Sequence, residues 1–224
     1  MIRSLDEKAV RRLQGEFRAK GHWSYLYCPL ISAAIAAHNH SALKTIFPLA
    51  LEDKVSPQTI SEIILQSHLF LGYPAMIEAA RLFSAFHAPK KVPGHNLASY
   101  DTDDVKGWHR QGTGKIRRLY GSQLPQLIDY INSFSPQILT WMVNDGYGRV
   151  LSRMGASFQL RELSTVATLT VTSYDNQLLA HIRGTVNIGV DPDLIAQTID
   201  NCRLFCAQSK TNRAHKILRQ VTAA

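Results

Sequence analysis

The chain has 224 residues, 45% hydrophobic and 19% charged, enough apolar mass to bury the core of one large domain or two small ones and too much for a disordered or fibrous chain. The formal net charge is +8, but the basic residues lie in separate stretches, Arg11-Arg12, Lys90-Lys91, Arg117-Arg118 and Arg213 with Lys216. They read as a solvated surface with no nucleic-acid partner, since a nucleic-acid footprint clusters on one face and brings a recognisable module.

Met1 to Lys8 carries charges without an apolar segment or a small-residue cleavage site, and the longest apolar run, Leu26 to Ala37, is too short to span a bilayer. The expectation is a soluble cytoplasmic protein that does not engage a membrane. Three cysteines, Cys28, Cys202 and Cys206, do not suggest a disulfide framework. Cys202 and Cys206 are four apart on an expected helix and read as buried small residues rather than a redox pair.

Residues 1–25 form an N-terminal helical arm: Ser4 and Glu7 make a capping box, and Leu5, Ala9, Leu13 and Phe17 form one stripe. A first repeat follows over 26–86, with Ser56-Pro57 supplying an N-cap and a first-turn proline. Residues 87–115 read as a connecting loop, rich in Pro, Gly, Asp and Lys. A second repeat occupies 116–224, where helical periodicity returns with Leu124, Leu127, Ile128 and Ile131, and where Gly189 and Asp191-Pro192 supply a helix stop and start. Val55-Ser56-Pro57 with Ile60, Ile64, Leu69 and Phe70 recurs as Val190-Asp191-Pro192 with Ile195, Ile199, Leu204 and Phe205, at a constant offset of 135 residues. That register points to duplication, and the scarcity of period-two segments to an all-α fold.

The sequence has no phosphate loop, since Gly112-Thr113-Gly114-Lys115 lacks the first glycine and the hydroxyl residue, and it has no His-Glu-x-x-His. His38-x-His40 lacks a third ligand, so no metal is expected. The residues that suggest chemistry are Arg161-Glu162 and His181. On consecutive antiparallel helices the start of one and the middle of the next approach, which would bring the three into one pocket.

Several segments in order resemble the carboxymuconolactone decarboxylase family, which includes the alkylhydroperoxidase D-like proteins. They are Gly114 to Arg118 with Tyr120-Gly121, Tyr147-Gly148-Arg149-Val150-Leu151-Ser152-Arg153, Arg161-Glu162-Leu163 and Leu178 to Arg183, with Glu62-Ile63-Ile64-Leu65 and Gly72-Tyr73-Pro74-Ala75 in the first repeat. The likeness is strongest to the 4-carboxymuconolactone decarboxylase branch. In the peroxidase branch a Cys-x-x-Cys precedes the histidine by seven and four residues. Here those positions are Tyr174 and Gln177, which disfavours thiol peroxidase chemistry.

The resemblance implies a duplicated helical bundle of this family and cofactor-independent decarboxylation, or related acid/base chemistry, of a small carboxylated lactone. His181 would be the proton donor, Glu162 its tuning partner and Arg161 the substrate-binding cation. The position matching His181 in the first repeat is Ile46, and Leu26-Tyr27 match Arg161-Glu162. The first repeat instead keeps Glu62 where the second has Gln197. Either the repeats build one composite pocket in which Glu62 faces His181 and Arg161, or the protein has kept the fold for assembly or ligand binding without catalysis. Single-repeat relatives form rings of six, so a homotrimer of two-repeat chains is the simplest assembly.

Overall fold

The computed structural model describes residues 5, 7–17, 22–88 and 102–223. Among them every regular element is helical. The chain runs α1 (Glu7–Glu16), α2 (Ser24–Ala36), α3 (His40–Glu52), α4 (Pro57–Gln66) and α5 (His68–Phe83), then α6 (Thr102–Tyr120), α7 (Leu124–Asn132) and α8 (Pro136–Trp141). A π-helix (Met142–Val150) continues α8, and α9 (Phe158–Thr172), α10 (Asp175–Asn187), α11 (Pro192–Asn201) and α12 (Gln208–Thr222) complete the fold.

Two helices form its centre. Leu26 to Ala36 of α2 and Phe158 to Val171 of α9 are buried on nearly every side, α2 as expected of a helix apolar all round and α9 although it carries Arg161, Glu162 and several hydroxyl residues, and the two pack along their lengths. One core lies around α2 to α5 and includes Phe47, Ile60 and Phe83; the other lies around α9 to α12 with α6 and includes Leu119, Leu163, Ile182 and Ile199. The start of α5 crosses between them, for Leu69 and Phe70 pack on the second core.

The expected boundaries form with the expected chemistry. Ser56 accepts a hydrogen bond from the Thr59 N–H at 3.0 Å, Asp191 accepts one from the Asp193 N–H at 2.9 Å, and each precedes a ten-residue helix. Helices α3 and α10, and α4 and α11, have bounds 135 residues apart. So do two pairs of positive-φ positions, His38 with Ser173 and Lys54 with Gly189. The turn at Gly72 is also present: its φ of 76° breaks α5 into two pieces, a conformation that favours glycine.

The stretch 87–115 is not a loop throughout. From Thr102 it is helix, so Gly112 to Lys115 sit in the middle of α6; residues 89–101 lie outside the described ones. Of its glycines, Gly112 serves the packing. A Cβ on Gly112 would run into the carbonyl of Val143, and one on Gly148 into the carbonyl of Trp108, so α6 and the π-helix cross with their backbones in contact. Asp103 and Asp104 in the first turn and Arg117 and Arg118 in the last suit the helix dipole. The arm is helix α1, tied down by Gln14 Nε2 donating to the Tyr27 hydroxyl at 2.7 Å and by burial of Val10. Its proposed cap Ser4 lies outside the described residues. No described helix is long and apolar enough to cross a membrane.

Candidate active site

Ser157 caps α9 by accepting from the Leu160 N–H at 3.2 Å, which places Arg161 and Glu162 in the first turns of a buried helix. Neighbouring residues on a helix point about 100° apart, so the two side chains diverge. Glu162 points to α10, where its Oε2 lies 2.7 Å from His181 Nδ1. A carboxylate accepts, so Nδ1 carries the shared proton and Nε2 is left for proton exchange with a ligand. The imidazole also meets the ring of Phe70 edge-on, with centroids 5.7 Å apart, and its backbone carbonyl accepts from the Thr185 hydroxyl at 2.6 Å.

Arg161 points the other way, to α4. Its Nη2 donates to Glu62 Oε2 at 2.9 Å and to the Arg153 carbonyl at 3.0 Å, while its Nη1 approaches the Glu62 carbonyl and Gln66 Oε1. Arg153 Nε donates to both oxygens of the same carboxylate at 3.1 and 3.0 Å. The expected facing of Glu62 and His181 is therefore corrected: Glu62 ties α4 to α9 and to the segment before it, and His181 belongs to Glu162. Arg161 has no solvent exposure. Burial lowers its pKa, and the Glu62 carboxylate works against that. In this arrangement Arg161 is a structural counter-charge with no face open to a substrate.

His181 opens onto a cavity of about 530 Å³, within the usual range for small-molecule sites. Both halves of the chain line it. Phe70 and Tyr73 come from α5, Trp141 from α8, and Asp145, Tyr147 and Arg149 from the π-helix. A second cavity of about 430 Å³, with Trp108, Gln111 and Arg153 in its wall, shares His68, Tyr73 and Arg149 with the first. Asp145 Oδ1 accepts from Arg149 Nε at 3.0 Å.

The surroundings of Glu162 are polar and buried. The Tyr147 hydroxyl donates to the Tyr120 hydroxyl at 3.2 Å. Burial pushes Tyr120 up to about 12 and Tyr147 well above its ordinary value, and Glu162 adds to both shifts, so both phenols stay neutral. Lys115, held 4.4 Å over the Phe158 ring, has its pKa lowered by burial while Glu162 opposes the shift. Glu162 Oε1, like Arg161 Nε, is buried without a hydrogen-bond partner in the protein.

Sequence reasoning found Glu162 and His181 but not Arg149, Asp145, Tyr73 or Trp141. Two of these lay inside recognisable segments, Tyr147-Gly148-Arg149 and Gly72-Tyr73-Pro74, and the signal was a glycine beside an aromatic where the backbone turns or crosses closely. None of the three cysteines lines either cavity. Burial raises the thiol pKa of Cys28 and Cys202. Among the described residues, no three His, Cys, Asp or Glu side chains gather as a metal site.

No family model matches the chain. Over 94 residues it is 27% identical to the 4-carboxymuconolactone decarboxylase of Acinetobacter baylyi (strain ATCC 33305 / BD413 / ADP1), a match that covers 42% of this chain and 70% of that protein. With the ordered motifs and the helical fold, this distant match supports a place in the carboxymuconolactone decarboxylase family.

Proposed function

We propose that the chain is a cofactor-independent acid/base catalyst that decarboxylates a small carboxylated lactone, with His181 as proton donor and Glu162 as the group that orients and tunes it. The observation that carries this reading is the buried 2.7 Å contact between Glu162 and His181 at the wall of a cavity. In the step, the bond from ring carbon to carboxylate breaks and its electron pair delocalises into the lactone system. Carbon dioxide leaves, and the proton on His181 Nε2 passes to carbon. The likeness to a decarboxylase supports the reaction class. Turnover of a panel of carboxylated lactones, read as carbon dioxide release, tests it. His181→Ala should lose about 100-fold or more, and unchanged turnover would remove the assigned role.

We also read the chain as a duplication that keeps one working site. The 135-residue offset of two helix pairs and two positive-φ pairs supports this. So does α1, which starts 135 residues before the π-helix. The first copy's counterparts of Glu162 and His181 are Tyr27, hydrogen-bonded to Asp53 at 2.6 Å, and the fully buried Ile46. Exposed large apolar side chains are compatible with assembly, whether or not catalysis is retained: Tyr73, Ile77, Tyr130, Phe134 and Trp141 are all more than half exposed. A cytoplasmic homotrimer is the corresponding proposal.

A further inference from the structure

Arg161 is enclosed by protein, so a substrate carboxylate entering the His181 cavity needs another cation. Arg149 is the arginine in that wall, and it lines the neighbouring cavity as well. Its partner Asp145 stands one helical turn earlier on the same π-helix and lines the same cavity. The pair is partly exposed, with side chains 26% and 47% accessible, so water and ligand reach both groups. The rest of the wall is rich in rings, among them Phe70, Tyr73, Trp141 and Tyr147. Such a surface accepts a flat ring on its faces and a single anion at one edge.

We infer that Arg149 is the specificity-determining cation of this site: it binds the carboxylate of a ring-bearing small acid and turns the ring toward His181, and Asp145 restrains it until the ligand's carboxylate takes over the guanidinium. This rests on the cavity being the substrate site and deepens that reading. The pairing has a selective consequence. Asp145 repels any anion that does not satisfy Arg149, so a second carboxylate placed near the π-helix is disfavoured, whereas one carboxylate exchanging for Asp145 is not. Asp145, Tyr147 and Arg149 of the π-helix all line the cavity.

Benzoate and its neutral isostere benzamide test this by calorimetric titration into the full chain, because neither reacts and binding is read apart from turnover. The wild-type protein should bind benzoate about tenfold or more tightly than benzamide, the effect of one charge-assisted contact. Arg149→Gln should abolish that preference while leaving benzamide binding unchanged. Asp145→Asn should tighten benzoate binding about threefold or more, which a merely misfolded variant would not do. Arg153→Gln, in the neighbouring cavity only, should keep the preference. Equal binding of the two probes, no binding of either, a preference that survives Arg149→Gln, weaker benzoate binding in Asp145→Asn, or loss of the preference in Arg153→Gln would each overturn the inference. None of these outcomes bears on the His181 turnover test, which fails or succeeds on proton transfer alone.

Discussion

Arg161 and Glu162 are adjacent in sequence and opposite in role. About 100° of helix rotation separates the directions of their side chains: Arg161 meets the carboxylate of Glu62, and Glu162 meets the imidazole of His181. Removing one partner of a buried ion pair leaves the other uncompensated, at about 3 kcal/mol or more. Glu62→Gln should therefore lower the melting temperature by roughly 10 °C in a chain of this size, read by thermal denaturation. A melting point unchanged from wild type would show that Arg161 finds another partner. Replacing both members of the pair by apolar residues of similar volume should be milder than Glu62→Gln alone. The pairing of Glu162 with His181 was legible in the sequence because nineteen residues across a helical hairpin is a short, regular span. The role of Arg161 was not, because charge in a sequence does not say whether it faces a cavity or another charge.

At the scale of elements, the caps were readable and the crossing was not. Ser56-Pro57 and Asp191-Pro192 act locally, through a side-chain oxygen and a backbone N–H two or three residues on, so their effect follows from the sequence alone. The glycines of α6 weaken a helix by propensity, and one of them, Gly112, is required by a partner more than thirty residues away, at Val143 and Gly148. Two substitutions separate these effects. Gly107 has nothing within 4 Å of where its Cβ would stand, so Gly107→Ala should stabilise by about 0.5 to 1 kcal/mol. Gly112→Ala forces two backbones apart and should destabilise by about 2 kcal/mol, and both are read by chemical denaturation. Equal effects at the two positions would show that α6 does not depend on the close crossing. The π-helix was equally hidden, because its sequence carries no signature of its own. That is why Arg149 and Asp145 went unassigned.

At the scale of the whole molecule, the two cores meet along α2 and α9. Exposed rings, among them Tyr73, Tyr130, Phe134 and Trp141, give the surface a second property. Phe134→Asp, which changes an exposed ring outside the cavity wall, should shift an assembly of chains of 25.1 kDa each toward the monomer in size-exclusion chromatography with light scattering. A wild-type chain that already elutes as a monomer would refute the trimer. The central claim is narrower, that Glu162 and His181 act on the ligand while Glu62 and Arg161 hold the fold. It is tested most directly by carbon dioxide release from carboxylated lactones in three proteins, with melting temperatures measured alongside. The account predicts that Glu162→Gln loses about 100-fold or more in turnover with little change in melting temperature, and that Glu62→Gln melts earlier yet turns over normally below its transition. Turnover lost in Glu62→Gln at an unchanged melting temperature, and kept in Glu162→Gln, would contradict it.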